Sequence, residues 1–250
     1  MINEGNIFVF DNNEGVADYA VTEWIEISSQ AIVDKGYFSA TLSGGKTPVG
    51  FYKRLAASKD FLSWDRTHIF FVDERVVPPS HRESNYGLIK ERLLSHVKIP
   101  DENVHRIQTE GITLEQSARR YEEDIRRFFR NKGDSMPRFD LIMLGIGEDG
   151  HTASLFPGKS SLKERTHLAI PVTAEKFPNK RITLTLPVIN NARKIMFLVS
   201  GRNKARALKE IVEDKKSSLP ASHVHPKQGI VYFMIDKPAA SLLSGRKMGQ

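Results

Sequence analysis

Short apolar runs alternate with amphipathic stretches along most of the chain. Eight of these runs are rich in β-branched and aromatic residues and predict β-strands. They cover residues 7–10, 38–42, 68–72, 139–144, 168–172, 182–186, 195–199 and 230–235. Several are apolar at consecutive positions, Leu141-Ile142-Met143-Leu144 among them, which is typical of strands buried on both faces of a parallel sheet.

The stretches between the strands have the spacing of helices. In residues 17–31, 114–128 and 205–212, apolar side chains recur at steps of three and four, which predicts helices with one buried face. Alternating strands and helices predict an α/β fold. We expect a single Rossmann-like layered domain over residues 1–250, with a mainly parallel sheet flanked by helices.

Composition narrows the functional classes. Hydrophobic residues make up 40% of the chain and charged residues 27%, as in ordinary globular proteins. The absence of cysteine excludes disulfides, thiolate catalysis and cysteine-based zinc sites, and suits a reducing compartment. Neither a membrane-spanning apolar stretch nor a secretory signal is visible. We therefore expect a cytoplasmic protein without a membrane partner.

The net charge of +7 suits an anionic partner, either nucleic acid or a phosphorylated small molecule. The charges are not gathered into one block, however. Residues 115–130 mix acidic and basic side chains and predict a salt-bridged helix face. This dispersion favours a small phosphorylated ligand over nucleic acid.

Polar or glycine-rich segments follow four of the predicted strands, where open α/β sheets bind their ligands. The first is Ser43-Gly44-Gly45-Lys46-Thr47-Pro48, in which adjacent glycines let backbone N–H groups surround an anion. A plain tight turn is the alternative interpretation. The segment is neither a Walker A loop nor G-x-G-x-x-G, so no nucleotide is implied.

Charged residues mark two more of these strand ends. Asp73-Glu74-Arg75 supplies carboxylates for general base chemistry and a guanidinium for an anion, although a surface salt bridge is the alternative. Lys204, at a predicted helix start after Ser200-Gly201, and Arg181, before another strand, are further cations for a phosphate.

The glycine-rich segment 145–158 frames Asp149 and His151. Histidine titrates near neutrality, so it can take a proton from water and return it to a leaving oxygen, while a nearby carboxylate fixes its tautomer. We expect neither a metal nor a cofactor, because no second His or Cys lies at ligand spacing. His223 and His225 are interpreted as surface residues.

Several motifs together carry a resemblance to a known family. They are Ser43-Gly44-Gly45-x-Thr47-Pro48, Asp73-Glu74-Arg75 with Val77-Pro78 and Ser84-Asn85-Tyr86, the segment 145–157, Arg181-Ile182-Thr183-Leu184-Thr185-Leu186-Pro187, and Ser200-Gly201-x-x-Lys204. They resemble the 6-phosphogluconolactonase family over nearly the whole chain, most specifically in Gly150-His151-Thr152-Ala153-Ser154-Leu155-Phe156-Pro157. The family shares its fold with glucosamine-6-phosphate deaminases and is related to ribose-5-phosphate isomerase-like folds.

Two positions distinguish the lactonases from the deaminases. Deaminases place a glutamate before the proline, where this chain has Phe156, and an aromatic residue after Asp-Glu, where it has Arg75. Both differences favour the lactonase. An amino-sugar phosphate deaminase, and a phosphosugar sensor that binds without turnover, remain the alternatives.

The resemblance implies hydrolysis of 6-phospho-D-glucono-1,5-lactone, with His151 activating water and either Asp149 or Asp73 orienting the imidazole. Arg75 would serve the oxyanion or the phosphate. The phosphate site would comprise Ser43, Gly44, Gly45, Thr47, Arg181 and Lys204. A covalent route through Ser154 is disfavoured, since no G-x-S-x-G motif is present. We expect a monomer or small homo-oligomer and assign no role to the basic tail 246–250.

Overall fold

The computed structural model describes residues 6–61, 63–133, 136–175 and 177–244, and the tail 246–250 lies outside them. The described strands are β1 (Ile7–Phe10), β2 (Phe38–Leu42), β3 (Thr67–Phe71), β4 (Asp73–Arg75), β5 (Val104–His105), β6 (Leu141–Leu144), β7 (Ala169–Thr173), β8 (Lys180–Leu184), β9 (Lys194–Val199) and β10 (Ile230–Asp236). The α-helices are α1 (Asn13–Lys35), α2 (Val49–Ala57), α3 (Asn85–Arg92), α4 (Leu114–Asn131), α5 (Leu186–Ile189), α6 (Ala205–Glu213) and α7 (Lys237–Ala240).

Seven strands form one sheet in the order β1-β10-β9-β6-β2-β3-β5. Every neighbouring pair in it is parallel. The central strands are the apolar runs of the sequence: all residues of β2 and β6 are buried, as strands covered on both faces must be. The predicted mainly parallel sheet flanked by helices is therefore confirmed.

The ends and the buried face of the first helix follow from local sequence signals. Asn12 caps α1 by accepting hydrogen bonds from the backbone N–H groups of Glu14 and Gly15, and Gly36 ends it in a left-handed conformation with φ of 81°. The predicted apolar stripe is buried against the sheet, with Trp24 fully enclosed. On α4, Arg126–Glu122 and Arg127–Asp124 ion pairs confirm the predicted mixed-charge face.

A second, three-stranded sheet in the order β4-β8-β7 departs from the expectation of one layered sheet. Both of its strand pairs are antiparallel, and two of its strands correspond to the predicted segments 168–172 and 182–186. β4 continues almost directly from β3, and Val72 joins the sheets: its N–H donates to Leu42 and its carbonyl accepts from Leu184. This second sheet brings the charged sequence of β4 next to the main sheet.

The order of the strands in the main sheet indicates where a ligand cleft lies. The chain passes from β2 to β3 on one side and from β6 to β9 on the other, so the order reverses between β2 and β6. Because parallel strands end at the same sheet edge, the segments after β2, β6 and β9 converge there. In the described part of the chain, no helix is long and apolar enough to span a membrane.

Candidate active site

A single cleft at this sheet edge gathers the residues that the sequence singled out. Its lining includes the segment 43–48, the end of β4, the segment after β6, the start of β8 and the segment after β9. Of the predicted site residues, those that line the cleft are Ser43, Gly44, Gly45, Thr47, Asp73, Arg75, His151, Arg181 and Lys204. Asp149 does not line it, but contacts a residue that does.

The segment after β2 has a backbone that other groups can approach closely. Gly45 has a φ of 98°, a left-handed conformation that favours glycine. A Cβ on Gly44 would lie 1.7 Å from the side-chain oxygen of Asn85, so no larger residue fits there. Below the loop, the buried Tyr52 hydroxyl donates to the Ser43 carbonyl over 2.5 Å. The loop is therefore fixed from beneath while its upper side faces the cleft.

His151 and Asp149 form a pair in the segment after β6. The imidazole Nδ1 lies 2.5 Å from Asp149 Oδ1, and the backbone N–H of His151 donates to the same oxygen over 3.2 Å. Gly147 makes room for the pair: a Cβ there would lie 2.0 Å from His151 Nδ1. Its own N–H donates to the His151 carbonyl over 2.8 Å, which closes a tight turn around the imidazole.

The electrostatics of this pair suit proton transfer. Partial burial acts to raise the pKa of Asp149, but the charge of His151 and its hydrogen bonds outweigh burial and lower it. With Nδ1–H donated to the carboxylate, Nε2 carries the lone pair of the ring. Within the described residues no hydrogen bond reaches Nε2. The Phe156 ring packs against the imidazole at a centroid distance of 4.9 Å.

Asp73 has different partners, so it does not contact the imidazole. Ser154 Oγ donates to Asp73 Oδ2 over 2.6 Å, and Asn85 Nδ2 donates to Oδ1 over 3.2 Å and to the Asp73 carbonyl over 2.9 Å. Of the two carboxylates that the sequence offered, Asp149 is therefore the one in contact with the imidazole. Ser154 is completely buried and bonded to a carboxylate, which gives the covalent route no support.

The Glu74 carboxylate does not line the cleft but holds together the elements that form it. It accepts from the backbone N–H groups of Arg75, Asn85 and Tyr86, over 2.6 to 2.8 Å, at the start of α3. Ser84 adds a hydroxyl donor over 3.2 Å. Burial raises the pKa of Glu74, although the backbone donors act in the opposite direction. Glu74 therefore fastens β4 to α3 beside the cleft.

Arg75 and Arg181 face each other across the β4–β8 pair, as direct Cα partners. Burial and the charge of Arg75 both lower the pKa of Arg181. The Arg75 guanidinium donates to the Glu83 carbonyl over 2.8 Å, and the Arg181 carbon Cζ lies 5.7 Å from the Phe156 ring centroid. Two neighbouring guanidinium groups in a cleft favour an anion between or beside them.

Asp236 fixes the segment after β9. Its carboxylate accepts from the Ser200 hydroxyl over 2.5 Å and from the Gly201 N–H over 3.0 Å, and it also caps α7. Lys204 follows in a 3₁₀ turn that precedes α6, and it lines the cleft. The predicted cation therefore lies at the start of the helix, as the N-cap residue directly before α6.

Three lining residues with polar side chains were not among the predicted site residues: Lys46, Asn85 and Ser200. Lys46 lies inside the predicted anion loop, and Ser200 lies directly after a predicted strand, so both had a signal. Asn85 had a weaker one, as part of the Ser84-Asn85-Tyr86 motif, because its contact with Asp73 forms only when α3 packs beside β4. Over the described residues, no group of three or more His, Asp or Glu side chains could hold a metal ion.

The fold and the cleft define a class: an α/β protein with a cation-lined cleft at the switch point of a parallel sheet and a histidine–aspartate pair beside it. Residues 11–233 match the family model described as glucosamine-6-phosphate isomerases/6-phosphogluconolactonase. The chain belongs to this family.

Individual relatives agree with this assignment. The 6-phosphogluconolactonase of Rattus norvegicus is 42% identical over 215 residues, which is 84% of this chain and 82% of the relative. The solved 6-phosphogluconolactonase of Thermotoga maritima matches with a TM-score of 0.80 and 33% identity, over 92% of this chain and 99% of that one. A monomeric glucosamine-6-phosphate deaminase matches with a TM-score of 0.79 but only 24% identity, over 95% of this chain and 99% of that one, and shows the shared fold alone.

Proposed function

We propose that this protein hydrolyses 6-phospho-D-glucono-1,5-lactone to 6-phospho-D-gluconate, as a hydrolase of the oxidative pentose phosphate pathway. The observation that carries the proposal is the His151–Asp149 pair, whose imidazole lines a cleft rich in cations. Relatives that cover most of the chain are named for this reaction. An imidazole beside a cluster of cations supports this proposal, because the reaction needs a proton acceptor and a place for the phosphate.

His151 acts as general base and then as general acid. Nε2 takes a proton from water while the water oxygen attacks the lactone carbonyl carbon, and a tetrahedral oxyanion forms. When this intermediate collapses, the bond from the carbonyl carbon to the ring oxygen breaks and Nε2 returns the proton to that oxygen. Asp149 holds Nδ1–H and stabilises the imidazolium between the two steps. No covalent enzyme intermediate is required, since a lactone is an activated ester.

The cations hold the phosphate away from the reacting carbon. The loop residues Ser43, Gly44, Gly45 and Thr47 would offer backbone and hydroxyl donors, and Arg181 and Lys204 would offer positive charge. Arg75 lies beside Arg181, so we assign it to the same anion rather than to the oxyanion. Binding energy from the remote dianion would orient the lactone against His151.

Phe156 supports lactone hydrolysis over deamination. Its ring packs against the His151 imidazole and stands at the sequence position where the deaminases carry the glutamate that assists their histidine. The cytoplasmic location, the single-domain organisation over 1–250 and the monomeric or small oligomeric state stay part of the proposal.

The test is hydrolysis of freshly generated 6-phosphogluconolactone at neutral pH, corrected for spontaneous opening, with glucosamine 6-phosphate in parallel. Rapid loss of the lactone without release of ammonia supports the proposal. Release of ammonia would assign the protein to the deaminases. Binding of the phosphosugar without either reaction would make it a sensor.

A further inference from the structure

We propose that Asp73 determines substrate specificity by accepting a hydrogen bond from a ring hydroxyl of the lactone. Ser154 and Asn85 are then positioning residues that hold the Asp73 carboxylate for this contact. The inference rests on the proposed lactone hydrolysis and adds a role that the acid–base chemistry of His151 does not use.

The carboxylate is held at both of its oxygens. Ser154 donates to Oδ2 over 2.6 Å, and Asn85 donates to Oδ1 over 3.2 Å. Ser154 is itself fixed, because its backbone N–H donates to the Thr183 hydroxyl over 3.1 Å. The three side chains that meet here are at most 5% exposed. Such an arrangement leaves the carboxylate little freedom to change its orientation.

The hydrogen bonds from Ser154 and Asn85 leave the Asp73 carboxylate able to accept further hydrogen bonds. A carboxylate oxygen has about two lone-pair sites, and each oxygen of Asp73 receives one hydrogen bond from the described residues. No basic side chain of the described residues lies within ion-pair distance of it. Asp73 nevertheless lines the cleft. A buried acceptor with free capacity at a cleft is matched by a ligand that brings a donor.

The chemistry of the substrate says which group that is. A phosphate dianion and a lactone carbonyl bring only acceptors, so a carboxylate repels the first and gains nothing from the second. The ring hydroxyls are the donors of the proposed substrate, and hydrogen bonds to a charged acceptor are the stronger ones. Because Asp149 already holds the imidazole, Asp73 is available for a hydroxyl.

The first test uses the unaltered protein and lactones that each lack one ring hydroxyl, made by oxidation of the deoxy sugar 6-phosphates. We expect one analogue to lose about 10- to 100-fold in kcat/KM relative to the parent lactone. If every analogue stays within about threefold of the parent, the proposal is wrong. That result differs from failure of the proposed function, in which the parent lactone itself is not hydrolysed.

The second test pairs the sensitive analogue with Ser154→Ala. We expect the variant to lose about 10-fold in kcat/KM on the parent lactone and less than about twofold on the analogue, since the analogue never used Asp73. The pH profile of kcat should keep its shape, because the His151–Asp149 pair is untouched. Equal losses on both substrates would mean a merely structural role and would overturn the proposal.

A matched control guards against loss of folding. Ser28 is another completely buried serine, and its hydroxyl donates to the Ile25 carbonyl on α1, away from the cleft. Ser28→Ala should leave the ratio of parent to analogue unchanged. If Ser154→Ala does not fold, the deoxy series on the unaltered protein can still overturn the proposal.

Discussion

Two aspartates serve the same cleft from opposite surroundings. The Asp149 side chain is 53% exposed and pairs with a histidine that is itself partly exposed, whereas Asp73 is 5% exposed and receives its hydrogen bonds from a neutral hydroxyl and a neutral amide. The first lies in a loop of the main sheet's edge, and the second begins β4 in the small sheet. The two carboxylates therefore differ in exposure and in partners, as the separate tasks proposed for them require.

The difference in burial between the two aspartates suits the two tasks that we propose for them. A group that passes protons needs access to water, and the exposed loop around His151 provides it. A group that orients a substrate needs rigidity, and the buried junction of β4, α3 and the second sheet provides that. Substitutions in the exposed region should therefore change rate, while those in the buried region should change selectivity, affinity or stability.

The largest expected effect is on the exposed side. His151→Ala should lower kcat for lactone hydrolysis by about 10² to 10⁴-fold, because it removes the general base. Stopped-flow titration of released acid measures this after correction for spontaneous opening. His223→Ala, at an exposed histidine outside the cleft, serves as the control and should keep full activity. A normally folded His151→Ala variant that retains most of its kcat would remove His151 from the mechanism.

The guanidinium pair is the next test. Arg181→Ala should lower kcat/KM on the phosphorylated lactone by about 10- to 100-fold, mainly through KM, because an ionic hydrogen bond to the phosphate is lost. Glucono-1,5-lactone without phosphate should be hydrolysed almost as well by the variant as by the unaltered protein. Arg66→Ala, in an exposed turn before β3, is the matched control. An equal loss on both lactones would place Arg181 at the reacting carbon instead.

The exposed region was largely predictable from the sequence, and the buried one was not. Asp149 and His151 are two residues apart in a glycine-rich segment after an apolar strand, so their proximity was local information. Ser154 and Asp73 are 81 residues apart and meet only because β4 pairs with β8. All eight predicted strands exist, with ends within two residues of the prediction, but β4 and β5 escaped prediction because strands of two or three residues show no periodicity.

Glu74→Gln, in the buried region, should lower the stability of the protein. Both oxygens of the Glu74 carboxylate accept hydrogen bonds from backbone N–H groups, and in glutamine one of these oxygens is replaced by an NH₂ donor. Because this donor would face other donors, the free energy of unfolding should fall by about 1–3 kcal/mol. Urea denaturation followed by circular dichroism measures it. Glu148→Gln is the control, since that exposed side chain accepts a hydrogen bond from Asn203 at the surface and should change stability by less than about 0.5 kcal/mol. Equal effects in the two variants would contradict the division between the regions.

The smallest effect tests the exposed pair through its pH dependence. The pKa of Asp149 is lowered in the folded protein, so its carboxylate contributes stability above the ordinary value of 3.8 and loses it as pH falls through the folded pKa. Relative to Asp149→Asn, the unaltered protein should therefore be more stable near neutral pH, by at most about 1 kcal/mol for so exposed a pair. The two should converge as the pH is lowered below 3.8. Urea midpoints across this range measure the difference, with Asp101→Asn, at an exposed turn before β5, as control. If the gap between the unaltered protein and Asp149→Asn did not shrink as the pH fell below 3.8, Asp149 would not be the carboxylate that His151 stabilises.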